Sequence, residues 1–100
     1  MTRVRYTPQV ALPGHRIVYA WRGRVLTAAL YRGEEEVGQE TYDLSLLQPG
    51  DEVVGVEPEV LQFSPLISAR CLEDGTLEVV LLHWYDGGEE PELAEEVLDA

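Results

Sequence analysis

The sequence predicts a mainly β protein: an antiparallel meander of about five or six strands, curled into a small sandwich or partly open barrel. A short acidic C-terminal helix or tail follows. Three observations carry that prediction. Runs rich in β-branched and aromatic residues alternate with short Gly- and Pro-containing breaks, as strands and hairpin turns do. No long segment repeats its apolar residues at helical spacing until the last ten positions. The chain has 100 residues, 45% of them hydrophobic, which suits one domain with a real core and excludes global disorder.

The first two strands are Arg16–Arg22 and Arg24–Arg32, joined around Gly23 closely enough for a hairpin. Ile17, Tyr19 and Trp21 share one face of the first; Val25, Thr27, Ala29 and Tyr31 share one face of the second. Both strands are partly apolar on both faces, so this pair is expected to be central and covered on each side. Gly33-Glu34-Glu35-Glu36 reads as a turn with a solvated charge cluster, and Val37–Leu47 as a third strand. Gln48-Pro49-Gly50-Asp51 is a turn, because proline presets φ and glycine accepts a positive one. Asp51–Val60 follows as a strand that Pro58 confines to an edge or ends.

Beyond Phe63-Ser64-Pro65-Leu66, Ile67–Leu72 and Leu77–Tyr85 flank Asp74-Gly75, the strongest short hairpin cue in the chain. Both faces of Leu77–Tyr85 are largely apolar, which places that strand centrally. Residues 1–86 form the expected single β domain. From Asp86 to Pro91 the chain reads as an acidic linker, and Glu92–Ala100 as one short helix or a disordered tail. Leu93 and Val97 lie four apart there, and Pro91 with the acids after it suits a helix N-terminus.

Charge divides the chain. All 19 acids lie at or beyond Glu34, and six of the seven bases at or before Arg32. The net charge of −12 argues against direct nucleic-acid binding by phosphate neutralisation. No apolar run is long enough to span a membrane, and the N-terminus has no signal-peptide pattern. A cytoplasmic or particle-incorporated protein is therefore expected. All seven bases are arginine, the mark of a GC-rich coding sequence. Arg16, Arg22, Arg24 and Arg32 are expected to pair with acids on neighbouring strands.

Chemistry-bearing motifs are sparse. His15 and His83 have no spacing to Cys71 that would make a metal or nucleophile pattern. His15 reads as a turn residue, His83 as a partly buried hydrogen-bonded histidine, and Cys71 as a small buried hydrophobe that forms no internal disulfide. The contiguous acids lack the spaced ligands of a calcium loop, and phosphate-loop and nucleophile-elbow motifs are absent. No enzyme, metal or cofactor is expected. Trp21, Tyr31, Trp84 and Tyr85 lie at or near strand ends, where Trp and Tyr left exposed would form a partner surface.

The larger pattern carries a resemblance. It runs through Tyr19-x-x-x-Gly23-x-x-x-Thr27, Asp43-Leu44-Ser45 and Pro49-Gly50-Asp51. It continues through Leu61-x-x-x-Pro65-Leu66-Ile67-Ser68-Ala69-Arg70 to Asp74-Gly75-Thr76-Leu77-x-Val79-x-Leu81-Leu82. From about Tyr19 to the tail this resembles a group of small phage- and prophage-encoded proteins often found near tail genes. Leu44 stands where that group more often has an aromatic. The resemblance implies a structural or accessory role, through contacts with phage tail or assembly proteins, and no catalytic residues. Two other expectations come from the residues alone. One is the alternative of an acidic inhibitor, or DNA mimic, of a host DNA-binding enzyme; the other, set against the absence of catalytic and metal motifs, is the alternative of a small enzyme or metal-binding domain using His83, Cys71 or the carboxylates.

Overall fold

In the computed structural model the described residues form eight strands in two sheets, which face each other across one core and do not close into a barrel. The structure describes all residues except Val56, Glu59, Gln62, Asp86, Glu90 and Ala100. Parts of the expected Asp51–Val60 strand, of the Asp86–Pro91 linker and of the C-terminal segment lie outside the described residues. Strands β2 (His15–Arg22), β3 (Val25–Arg32) and β4 (Glu35–Asp43) form a three-stranded antiparallel sheet in that order. The other sheet also contains β1 (Thr2–Val10), β5 (Glu52–Val54), β6 (Leu66–Cys71), β7 (Leu77–Tyr85) and β8 (Glu96–Leu98), in the order β5-β6-β7-β1-β8.

The three-stranded sheet follows from local chemistry. Arg22 pairs with Val25 and Arg32 with Glu35, so each connection is a two-residue loop. Gly23 and Gly33 open these loops at φ +60° and +64°, a backbone region that side-chain-bearing residues resist. The register puts Ile17, Tyr19 and Trp21 beside Leu30, Ala28 and Leu26 on the inner face. The outer face is not covered: Val18 is exposed there, and β2 is an edge rather than a central strand. β4 stops at Asp43, four residues before the expected end. The Asp43 carboxylate accepts from the Ser45 amide and caps a 3₁₀ turn at Leu44–Leu46, the only helical element among the described residues.

The five-stranded sheet departs further from a meander. β6 and β7 form the expected hairpin, whose loop is tied by the Thr76 amide donating to Asp74. β7 is central, as its two-sided apolar pattern requires, and β5 is a short edge strand that ends before Pro58. The other neighbour of β7, however, is β1, and that pairing is parallel over nine residues, Thr2 opposite Leu77 through Val10 opposite Tyr85. β1 alternates Thr2, Val4 and Tyr6 inward against Arg3 and Arg5 outward. Such a half-buried pattern fits beside β7, whose Leu77, Val79 and Leu81 stand opposite Thr2, Val4 and Tyr6 and are buried on the same side. The C-terminal helix is not formed. Glu96–Leu98 is extended and pairs antiparallel with Thr2–Val4, because a nine-residue helix lacks the length to stand alone and the β1 edge supplies ladder partners.

The shared core takes Val4, Leu77, Val79, Leu81, Leu66 and Ala69 from the larger sheet, and Leu26, Ala28 and Tyr42 from the smaller. Cys71 is buried beside them as a free thiol. No helix among the described residues is long and apolar enough to cross a membrane.

Candidate functional site

Two concave regions stand out, and they differ in chemistry. The first is an apolar groove of about 270 Å³, lined by Leu12, His15, Leu30, Val37, Val60, Leu61, Phe63 and Trp84. One wall comes from the start of β2 and from β3 and β4, another from the segment between β5 and β6, and Trp84 comes from the end of β7. Glu40 builds the groove. It points inward from β4 at 5% exposure, and its carboxylate accepts the backbone amides of Val60 and of Leu61, the latter at 2.7 Å. A buried carboxylate is tolerated only with such partners, so the contact fixes where the crossing segment lies. Gly38 lets it come close, since a Cβ there would stand 3.2 Å from Leu61 Cδ2 and 3.3 Å from Val60 Cγ1.

Phe63 stacks on Trp84 with ring centroids 4.6 Å apart, and His15 meets the same indole edge-on at 6.5 Å. The indole is oriented by its Nε1 donating to Gln9 Oε1 at 3.0 Å. His15 Nδ1 lies 2.9 Å from the Pro13 carbonyl oxygen. Around this aromatic floor Leu12, Val37 and Val60 stay 61%, 57% and 64% exposed. Val37 is displaced from the β3–β4 ladder by a bulge, with Leu30 opposite Gly38 and Tyr31 opposite Glu36.

Of the four aromatics expected at a partner surface, the structure brings only Trp84 into this groove. Trp21 packs against the core, its indole nitrogen buried without a hydrogen-bond partner among the described residues. It lies six residues along β2 from His15, roughly 20 Å at strand rise. Tyr31 faces outward from the smaller sheet, under the Arg16 guanidinium at 4.6 Å. Tyr85 ends β7 opposite Val10. Sequence reasoning missed Leu12, Val37, Val60 and Phe63. Their signal was partial: Leu12 and Phe63 are apolar residues at the Pro13 and Ser64-Pro65 breaks, and Val37 and Val60 stand at the ends of expected strands.

The second region, of about 250 Å³, lies on the outer face of the larger sheet, where Arg3, Arg5 and Arg70 converge with Glu52, Glu78 and Ser68. Arg70 donates from Nε to Glu78 Oε1 at 2.6 Å and reaches the same oxygen from Nη2 at 2.5 Å. Arg3 lies 4.0 Å from Glu78 and 3.8 Å from Glu95, and Arg5 lies 3.8 Å from the other oxygen of Glu95. The arginines expected to form ion pairs are thus not those that form them among the described residues. β2 has only β3 as a sheet neighbour, and the register sets Arg16 opposite Tyr31 and Arg22 opposite Val25. Arg24 donates instead to the Gly75 carbonyl at 2.7 Å and, more weakly, to the Met1 carbonyl at 3.3 Å.

The perturbed titratable groups hold structure together. Burial raises the Tyr19 phenol well above its ordinary range, and its hydroxyl donates to the Leu82 carbonyl, tying β2 to β7. Burial and the Glu96 carboxylate raise the Tyr6 phenol, which donates to Glu96 at 2.8 Å. Burial also raises Tyr42, whose hydroxyl is buried without a hydrogen-bond partner among the described residues. The Thr76 amide holds the Asp74 carboxyl below its usual range. His83 packs edge-on against Tyr6 at 6.1 Å. Among the described residues no three His, Cys, Asp or Glu side chains converge as metal ligands would. Comparison with protein-family models, with curated proteins and with solved structures finds no significant match.

Proposed function

We propose that the protein is an interaction module, acting as a structural or accessory component through protein–protein contacts. The supporting observation is the apolar groove, where three strongly exposed aliphatic side chains surround a stacked Phe63–Trp84 pair whose indole is held by Gln9. Preorganised aromatic anchors in a water-excluding rim are the usual core of a protein interface. The acids Glu34–Glu36 precede Val37 directly, so the complementary partner segment presents an apolar side chain flanked by basic residues. The sequence resemblance gives the setting we propose, contacts with phage tail or assembly proteins in the host cell or the particle.

The test is recovery of the protein in purified particles or in complex with a purified tail component, for the wild type and for Val37→Glu. Val37 is exposed, so the substitution leaves the fold intact and introduces a charge into the docking surface. Loss of the complex is expected. Unimpaired binding by Val37→Glu, or absence from particles and from complexes with tail components, overturns the reading. The DNA-mimic alternative predicts instead a complex with a DNA-binding enzyme that weakens steeply as salt rises. It is less favoured because two of the tail acids such a mimic would present, Glu95 and Glu96, are engaged by β1.

A further inference from the structure

We infer that the outer edge of β1, together with Arg3 and Arg5, is a second binding site, for an extended acidic segment of another protein. The chain's own C-terminal segment occupies it as an internal stand-in. This inference is independent of the groove reading, since it concerns the β1–β8 edge and the opposite charge.

The stand-in reveals what the site recognises. Glu96–Leu98 adds to β1 as an antiparallel strand, so backbone pairing supplies a contact that any extended segment can make. Side chains supply the selection. Arg3 and Arg5 are two apart and project from one face, and a single carboxylate, Glu95, bridges them through its two oxygens. The next residue points the other way, where Glu96 accepts from the Tyr6 hydroxyl. Two residues further on, Leu98 packs against the core. The recognised pattern is therefore two successive carboxylates, one for each face of the strand, followed two residues later by an apolar side chain. In a chain of net charge −12, three of only seven bases gather in this one region.

The stand-in is also built to leave. Its ladder is three residues long, and the Glu95 contacts, at 3.8 Å, are longer than hydrogen bonds. Arg5 remains 69% exposed at its side chain, and two glycines, Gly87 and Gly88, precede the segment. Elements with few buried contacts open at low free energy. A competing segment on a partner therefore displaces the tail without disturbing β7, which holds β1 along its other side. A partner is favoured over a second copy, because a copy would bring its whole charge of −12 against an equal one.

The test uses the full chain and a synthetic peptide of its own residues Pro91–Asp99. The wild type, Glu95→Gln/Glu96→Gln, and the latter combined with Arg3→Ala/Arg5→Ala are compared by NMR titration, after their dispersed spectra confirm folding. Expected is at least tenfold tighter peptide binding to the glutamine variant than to the wild type. The gain should vanish on removal of the arginines, and a peptide carrying both glutamines should bind at least tenfold more weakly. Equal binding to all three chains, or no binding to the glutamine variant, overturns the inference. Unchanged amide protection of Glu96–Leu98 in the glutamine variant overturns it too. Concentration-dependent dimers that disappear with the arginines would assign the site to a second copy and overturn the partner assignment.

Discussion

The two concave regions are nearly equal in size, about 270 and 250 Å³, and each is organised by a glutamate. Their glutamates act in opposite ways. Glu40 is buried and spends its carboxylate on two backbone amides, leaving the apolar side chains around it with nothing to cover them. Glu78 lies at the surface, its side chain 20% exposed, and is satisfied by Arg70 and Arg3, so its region is already neutralised from within. One region is apolar and has no cover among the described residues; the other is lined by ion pairs that water can replace. The lesson is that the arginines on the outer face of the larger sheet are answered internally, whereas the apolar side chains of the groove are not.

The largest effect that tests this contrast comes from removing each carboxylate. Glu40→Ala leaves the Val60 and Leu61 amides without their acceptor and is expected to cost about 2–4 kcal/mol in urea unfolding, since bonds to a charged group and buried unsatisfied donors are both expensive. Glu78→Ala is expected to cost about 1 kcal/mol or less, as exposed ion pairs do. Equal costs for the two variants would break the comparison.

The same contrast separates what the residues announce from what they conceal. The β2–β3–β4 sheet and the β6–β7 hairpin were legible because each contact is set by a nearby turn: Gly23, Gly33, Asp74-Gly75. β1 was not, although Thr2, Val4 and Tyr6 alternate with Arg3 and Arg5 as a half-buried strand should. Its partner lies 75 positions away, and parallel pairing leaves no turn to mark it. β8 was misread because Leu93 and Val97 fit a helical spacing, while its true partner stood at the other end of the chain. For the site, Trp84 was legible as an aromatic near a strand end. The groove around it was not, because it depends on Glu40, an acid whose burial only the assembled sheet decides.

The second effect is a pH dependence. The Tyr19 phenol is raised above its ordinary value in the folded state, so the folded chain holds that proton when the unfolded chain has lost it. The stability it contributes is fully present below the unfolded pKa of about 10 and is lost as pH climbs toward the folded value. Unfolding free energy should fall above about pH 10 by up to ~1.4 kcal/mol per pH unit from this group. Tyr19→Phe removes that share of the slope. An unchanged slope in the variant would show that the tie between β2 and β7 does not carry the alkaline transition.

A smaller effect sharpens how tightly the apolar groove is built. Gly38→Ala brings a methyl within 3.2–3.3 Å of the tips of Leu61 and Val60. Those side chains can move slightly, so a cost of about 1 kcal/mol is expected, at the low end for overpacking. The change should also displace the NMR signals of Leu61, Phe63 and Trp84. If the signals of β8 move instead, the two regions are mechanically linked and the contrast between them is wrong.

The smallest effect concerns the charged region alone. Raising ionic strength from about 0.1 to 1 M shortens the screening length from roughly 10 to 3 Å, below the 3.8 Å that separates Glu95 from both arginines. Amide exchange at Glu96–Leu98 should accelerate, because the side chains that hold this short strand lose part of their attraction. Global stability should change by less than about 1 kcal/mol, since exposed pairs contribute little and β1 keeps its nine-residue pairing with β7. The Phe63–Trp84 stack, which involves no ion pair, should keep its indole fluorescence throughout. Salt-insensitive exchange at β8 would mean that backbone pairing and Leu98, rather than Glu95, hold the tail in place. The charged region would then depend on its ion pairs no more than the apolar one does.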